Sequence, residues 1–169
     1  MFPIEKAESL LTIISENPSL CGINVTIPHK VAVMPFIHEL DAAAAEIGAV
    51  NCISITSKNN AVFLKGYNTD AYGFAESLKP MLEKQHEKAL IFGDGGAAKA
   101  VKYVLKQLGI PYLVVVRKKV ENTIHYDEVT EGLLNEYKIL INTTPLGMSP
   151  NYDSYPPIHY QYLTTQHLV

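Results

Sequence analysis

The sequence has no long apolar run, few cysteines and no large block of one charge, and each shortage removes a class of protein. No apolar stretch approaches the roughly 20 residues needed to span a bilayer, and the N-terminus has none of the charged, apolar and small-residue regions of a signal peptide. A cytoplasmic chain without a membrane partner is therefore expected. Cys21 and Cys52 are the only cysteines. Two thiols in apolar segments exclude a disulfide scaffold, suit a reducing compartment, and are expected as buried small hydrophobes rather than nucleophiles. Net charge is −3 and the one basic run is Arg117-Lys118-Lys119, so there is no electrostatic footprint for nucleic acid, although a small anion held by local groups is still possible. The six histidines, at positions 29, 38, 86, 125, 159 and 167, lack the i,i+4 or Cys-flanked spacing of a metal site, and no metal is expected. Neither an internal repeat nor a low-complexity tract is present.

What remains is a globular composition, 47% apolar and 18% charged, over 169 residues, enough for one ordinary domain or two small ones. Ile4 to Ile14 puts Ala7, Leu10, Leu11 and Ile14 on one helical face, stopped by Asn17-Pro18. Cys21 to Ile27 reads as a strand ended by Pro28, and Lys30 to Leu40 has helical spacing broken near Pro35. Asp41 caps a helix that runs to Ile47 and ends at Gly48. Residues 50–55 and 61–64 read as a hairpin around the polar turn at 57–60. A helix from Thr69 or Asp70 carries Phe74, Ser77, Leu78 and Met81 inward, with Pro80 kinking it. The pattern changes at Glu83 to Lys88. Beyond it, strands at 88–93, 112–116 and 138–142 alternate with a helix and a less regular segment at 127–136, which predicts a parallel sheet. The fold class is α/β with two domains, 1–86 and 87–169, and the Tyr/Pro-rich stretch from Pro150 to Tyr160 is an ordered surface loop.

The apolar run Ala89-Leu90-Ile91-Phe92 leads into Gly93-Asp94-Gly95-Gly96-Ala97-Ala98-Lys99-Ala100, which opens the pattern Ala97, Val101, Val104, Leu105, Leu108. A strand turning through glycines into a helix leaves N–H groups unpaired where the helix dipole favours negative charge, a seat for a pyrophosphate. Gly93 makes the turn, Gly95 lets phosphate approach the backbone, and Ala98 keeps the helix close to the sheet. A glycine-rich turn that binds nothing would look the same. An NAD site would place an acid about 20 residues further on, at the end of the second strand. Here Val116-Arg117-Lys118-Lys119 supplies cations, suited to the 2′-phosphate of NADP, unless the loop is simply solvated.

Two segments of the first half carry chemistry. Asn24-Val25-Thr26-Ile27-Pro28-His29-Lys30 ends a strand with polar groups and a cation, and Gly66-Tyr67-Asn68-Thr69-Asp70 brings a carboxylate to a helix start. A lysine beside an aspartate can share a proton and hold a hydroxyl or carbonyl oxygen, as oxidation at an alcohol carbon requires. Taken singly, Lys30 also fits a solvated cation and Asp70 a helix cap.

Together with Gly48-Ala49-Val50-Asn51 and Asn142-Thr143-Thr144-Pro145-Leu146-Gly147-Met148, and with the glycine turn, these segments resemble the shikimate dehydrogenases in order and spacing over roughly residues 20 to 148. The resemblance implies an N-terminal α/β substrate domain, a Rossmann-like NADP-binding domain with an incomplete parallel sheet, and a cleft between them. It implies interconversion of 3-dehydroshikimate and shikimate in chorismate and aromatic amino-acid biosynthesis, by a monomer or homodimer. On that resemblance Lys30 and Asp70 are the catalytic pair, and Asn24, Thr26, Asn51 and Thr69 form the substrate shell. Gly93, Gly95, Gly96, Ala97, Ala98 and Arg117 bind the cofactor, with Thr143, Pro145 and Met148 bordering its nicotinamide.

The sequence departs from the family at several places. Cys52 stands where a threonine usually follows the asparagine, and Val116 and Lys118 flank the arginine in place of asparagine and threonine. Asp94 puts a carboxylate beside the expected pyrophosphate, which it repels unless it points away. The family's first strand with its Ser-x-Ser pair and its C-terminal helix with a substrate-binding glutamine have no counterpart, so truncation at both ends is expected. A non-catalytic remnant that keeps the fold, and a relative acting on quinate, are the competing readings.

Overall fold

The computed structural model describes residues 1–58 and 61–169, with no side-chain description at Lys58. The chain forms two compact units, Met1–Gly73 and Phe74–Val169.

In the first unit, β1 (Gly22–Asn24), β2 (Glu39–Leu40), β3 (Cys52–Lys58) and β4 (Ala61–Tyr67) form a mixed sheet in the order β1-β3-β4-β2. Strands β1 and β4 run antiparallel to β3, and β2 runs parallel to β4. Helix α1 (Ser9–Glu16) buries Leu10 and Ile14 with Val33, Ala44, Val50, Ile53 and Leu64. It starts five residues later than the periodicity suggests, because residues 6–11 close with tight i→i−3 bonds such as Leu10 N–H to the Ala7 carbonyl. Leu11, expected on the buried face, is half exposed. Helix α2 (Ala42–Ile47) has the expected ends: Asp41 accepts from the Ala44 N–H at 2.7 Å, and Gly48 takes a left-handed φ of 68°. Lys30 to Leu40 is not a helix. Pro35 has no N–H to continue one, so the segment closes a single 3₁₀ turn at Met34–Phe36 and leaves extended into β2. A Cβ at Gly66 would sit 2.8 Å from Val50 Cγ2, so the glycine lets β4 lie close under the loop before β3. Of the turn expected at 57–60, residues 59 and 60 lie outside the described residues.

Helix α3 (Thr69–Leu78) contains the division between the units. Although the sequence pattern changes near residue 86, the packing division comes after Gly73. The reason is that Phe74 and Leu78 side with Ala89, Ile91, Ala98, Val101 and Leu105. Ser77, expected inward, is exposed because the buried face of α3 runs through Ala71, Phe74 and Leu78, and Met81 is exposed after a 3₁₀ turn at Lys79–Met81 rotates the chain.

The second unit is one parallel sheet of β5 (Ala89–Phe92), β6 (Tyr112–Val116), β7 (Thr123–His125) and β8 (Ile139–Asn142), in the order β7-β6-β5-β8. The three expected strands pair as predicted. The fourth, β7, lies in a stretch with no strand signal, and the irregular segment after it resolves into a 3₁₀ turn at Tyr126–Glu128 and α5 (Glu131–Glu136). All four β5 residues are buried, as befits an inner parallel strand. Ala89 and Ile91 face one core, and Leu90 and Phe92 the other, with Val115, Leu134 and Leu140. Helix α4 (Gly96–Gln107) buries Ala98, Val101, Val104 and Leu105, whereas Ala97, assigned to the same face, points to solvent. Cys21 is exposed and Cys52 half-buried, so the expectation of two buried thiols fails at Cys21, which sits at the open start of β1.

Candidate functional site

The first unit gathers a polar group at the C-terminal end of β4. Asn68 caps α3: its Oδ1 accepts from the Ala71 N–H at 3.2 Å, and its Nδ2 donates to the Ala49 carbonyl at 3.0 Å, deep in the unit. With the cap supplied by Asn68, Asp70 in the first helical turn is left to act as a carboxylate. Its Oδ2 accepts from Lys30 Nζ at 2.7 Å and its Oδ1 from Asn51 Nδ2 at 2.7 Å. Asn51 is itself held by Thr69, whose N–H donates to Asn51 Oδ1 at 2.8 Å and whose Oγ1 lies 2.9 Å from Asn51 Nδ2. The backbone fixes the same partners, because the Val50 N–H donates to the Lys30 carbonyl and the Asn51 N–H to that of Tyr67.

This arrangement is poised for chemistry more than for stability. The side chains of Lys30 and Asp70 keep 21% and 42% of their surface exposed, and so open a pair contributes about 0.2–1 kcal/mol. What it offers is a lysine that gives a proton to a bound oxygen as the ammonium and takes one as the amine, with its position fixed by the carboxylate beside it. Of the residues expected around it, Asn51 and Thr69 join the network. Asn24 and Thr26 are exposed on β1 and just beyond it, and among the described residues their side chains make no hydrogen bond. Asn68 is the residue that sequence reasoning passed over. A short polar residue just before a helix was the signal for it.

The second unit has a cavity of about 680 Å³, lined by Gly93, Asp94, Gly95, Val116, Arg117, Lys118, Tyr126, Thr143, Thr144, Pro145, Leu146 and Pro157. Counted within the unit, the strands run third, second, first, fourth, so the chain changes direction between β5 and β8. In open α/β sheets ligands bind outside the carboxyl ends of the strands at such a point. The turn after β5 and the loop after β8 are tied together: Thr143 Oγ1 donates to the Phe92 carbonyl at 2.8 Å, and Gly93, at φ 96°, has no room for a Cβ against Thr144. Asn142 braces its own loop, donating to the Leu146 carbonyl and accepting from the Thr144 N–H, both at 3.0 Å.

The basic run after β6 is divided in its partners. Lys119 is bound by both oxygens of Glu128, at 2.8 and 3.0 Å. The His125 N–H and Lys119 together hold the Glu128 carboxyl below the usual range. Arg117, the chain's only arginine, and Lys118 line the cavity with no carboxylate partner among the described residues. Tyr126 stacks on Phe92, ring centroids 6.0 Å apart; burial raises its phenol pKa, and the nearby Arg117 partly opposes the shift. Of the residues assigned to a cofactor, Gly93, Gly95, Arg117, Thr143 and Pro145 line this cavity. Gly96, Ala97 and Ala98 belong to α4, and exposed Met148 lies outside the lining. Tyr126 and Lys118 do line it, Tyr126 from the turn after the unexpected β7. A dinucleotide fits these residues. The position a Cβ would take at Gly95 has no atom within 4 Å, which leaves space over the turn, and the two unpaired cations stand at the end of β6. Among the described residues no group of His, Cys, Asp and Glu could hold a metal, and no helix is long and apolar enough to cross a membrane.

Residues 2–53 match the profile of the shikimate dehydrogenase substrate binding domain. Over 165 residues, 88% of this chain and 57% of the relative, the sequence is 32% identical to the NADP(+) shikimate dehydrogenase of Methanosphaera stadtmanae. The chorismate mutase/shikimate 5-dehydrogenase fusion protein of Clostridium acetobutylicum matches in structure with a TM-score of 0.79 and 32% identity, over 95% of this chain and 60% of that one. Shikimate 5-dehydrogenase of Thermus thermophilus, solved in complex with NADP(H) and shikimate, matches with a TM-score of 0.74 and 27% identity, over 96% and 61%. The chain spans less than two thirds of the length of each of these proteins.

Proposed function

We propose that the chain is a member of the shikimate dehydrogenase family and serves the NADP-dependent interconversion of 3-dehydroshikimate and shikimate, a step of aromatic amino-acid biosynthesis, in keeping with its match to the substrate-binding domain profile and to the NADP(+) enzymes. The observation that carries this is the group formed by Lys30, Asp70 and Asn51, with Lys30 Nζ 2.7 Å from the carboxylate that Asn51 orients. Lys30 takes the proton from the substrate hydroxyl in the oxidising direction and returns it to the carbonyl oxygen in the reverse. Asp70 balances the ammonium and holds it in place, while Asn24, Thr26, Asn51 and Thr69 bind the ring hydroxyls.

NADP, when bound, supplies the two-electron redox partner of the substrate carbon. In our reading Gly93 and Gly95 receive its pyrophosphate, Arg117 its 2′-phosphate, and the Thr143–Pro145 loop borders its nicotinamide, with Met148 beside that loop. Substrate belongs to the first unit and cofactor to the second, close to the division 1–86 and 87–169 suggested by sequence pattern. The partners are small molecules, the working form is a monomer or homodimer, and two free thiols suit the cytoplasm.

The test is a steady-state assay with shikimate and NADP, following NADPH formation. Saturable turnover that Lys30→Ala removes supports the reading. NADPH binding without turnover overturns its catalytic part, and a preference for quinate overturns the substrate.

A further inference from the structure

Asp94 is the cavity's only carboxylate, and it stands between the two glycines that are to face a pyrophosphate. A free carboxylate there would repel the ligand, since like charges a few ångströms apart in a partly desolvated site interact strongly. It is not free. Asp94 Oδ1 accepts from Lys102 Nζ at 2.5 Å, and Lys102 projects from α4 two turns further along. The pair is more shielded than most in this protein, with 27% of the lysine side chain and 36% of the aspartate exposed. Lys102 lies outside both apolar cores of the second unit, and its side chain is paired with this carboxylate.

We propose that Lys102 is a positioning residue of the cofactor site. By pairing with Asp94 it cancels that charge and draws the carboxylate toward α4, leaving the N–H groups of the glycine turn to an anionic ligand. The inference rests on the dinucleotide reading above and adds to it a residue outside the motif. It also accounts for a chain that tolerates aspartate at this turn: the compensating cation comes from the helix that follows the turn.

The test is fluorescence titration of NADPH into the unaltered chain, Lys102→Met, Asp94→Asn and the double variant, with thermal unfolding recorded for each. Lys102→Met, which keeps length and removes charge, weakens binding by about tenfold, an ordinary coupling between neighbouring groups. Asp94→Asn binds a few-fold more tightly, since Lys102 is then an unpaired cation near the phosphates. The double variant returns to within about threefold of the unaltered chain, a rescue that a merely structural role for Lys102 would not give. Unchanged affinity in Lys102→Met, or a loss that persists in the double variant, overturns the inference and leaves the cofactor reading standing. Should Lys102→Met fail to fold, Asp94→Asn decides alone, and weaker binding in it overturns the proposal. No NADPH binding by the unaltered chain overturns the cofactor reading and this inference together.

Discussion

Lys30 and Asp70 are joined by a short contact in a solvent-open setting, and this sets what their replacement does. Lys30→Ala lowers shikimate oxidation by about 10²–10⁴-fold, the usual contribution of general acid–base catalysis, while chemical denaturation registers a loss below about 1 kcal/mol. A larger stability loss with unchanged turnover would show the lysine to be structural. Arg117 follows a different logic, because in the reading proposed above its guanidinium meets a group that one cofactor has and the other lacks. Arg117→Ala weakens NADP by about 1.5–3 kcal/mol and leaves NAD nearly unchanged, as calorimetric titration of both would show. Equal losses would move Arg117 away from the 2′-phosphate.

Among the elements, the start of α3 determines how well the site is held. Asn68→Ala removes the cap and the donor to the Ala49 carbonyl, and costs about 0.5–2 kcal/mol in denaturant unfolding. Asn68→Asp keeps the capping oxygen and recovers part of that loss. Turnover falls with Asn68→Ala as well, because Asp70 lies in the turn that frays. Elements of this kind were legible from sequence wherever one strong local signal governed them: Asp41 and Gly48 bounding α2, or the apolar run and glycines joining β5 to α4. The failures have a shared physical cause. Pro35 outweighs the helical spacing of Lys30 to Leu40, and β7 is three residues long, too short for alternation to be seen. At the candidate site, Lys30, Asp70 and Arg117 stand out by residue type, and the resemblance to the family gives them their expected roles. Tyr126 could not, since only the pairing of β7 on β6 carries it to the cavity wall. The pairing of Asp94 with Lys102 was hidden for a similar reason, as it depends on a side chain of the turn after β5 meeting one on α4.

For the whole molecule, the apolar interior is divided. Leu64 belongs to the core of the first unit and Leu90 to one of the two cores of the second. Either residue changed to alanine costs about 2–5 kcal/mol. Amide hydrogen exchange distinguishes the two: Leu64→Ala speeds exchange in β3 and β4, and Leu90→Ala in β5, β6 and β8. Uniform loss of protection from either change would mean that the cores unfold as one. Arg117 has a consequence at this scale too. As the only arginine, and an exposed one, it makes the Arg117–Lys118 bond the single target of a protease that cleaves after arginine. Digestion therefore yields two fragments, residues 1–117 and 118–169, and cofactor seated over that bond slows the cut. The rate of nicking becomes a label-free gauge of occupancy, falling by half when NADP reaches its dissociation constant.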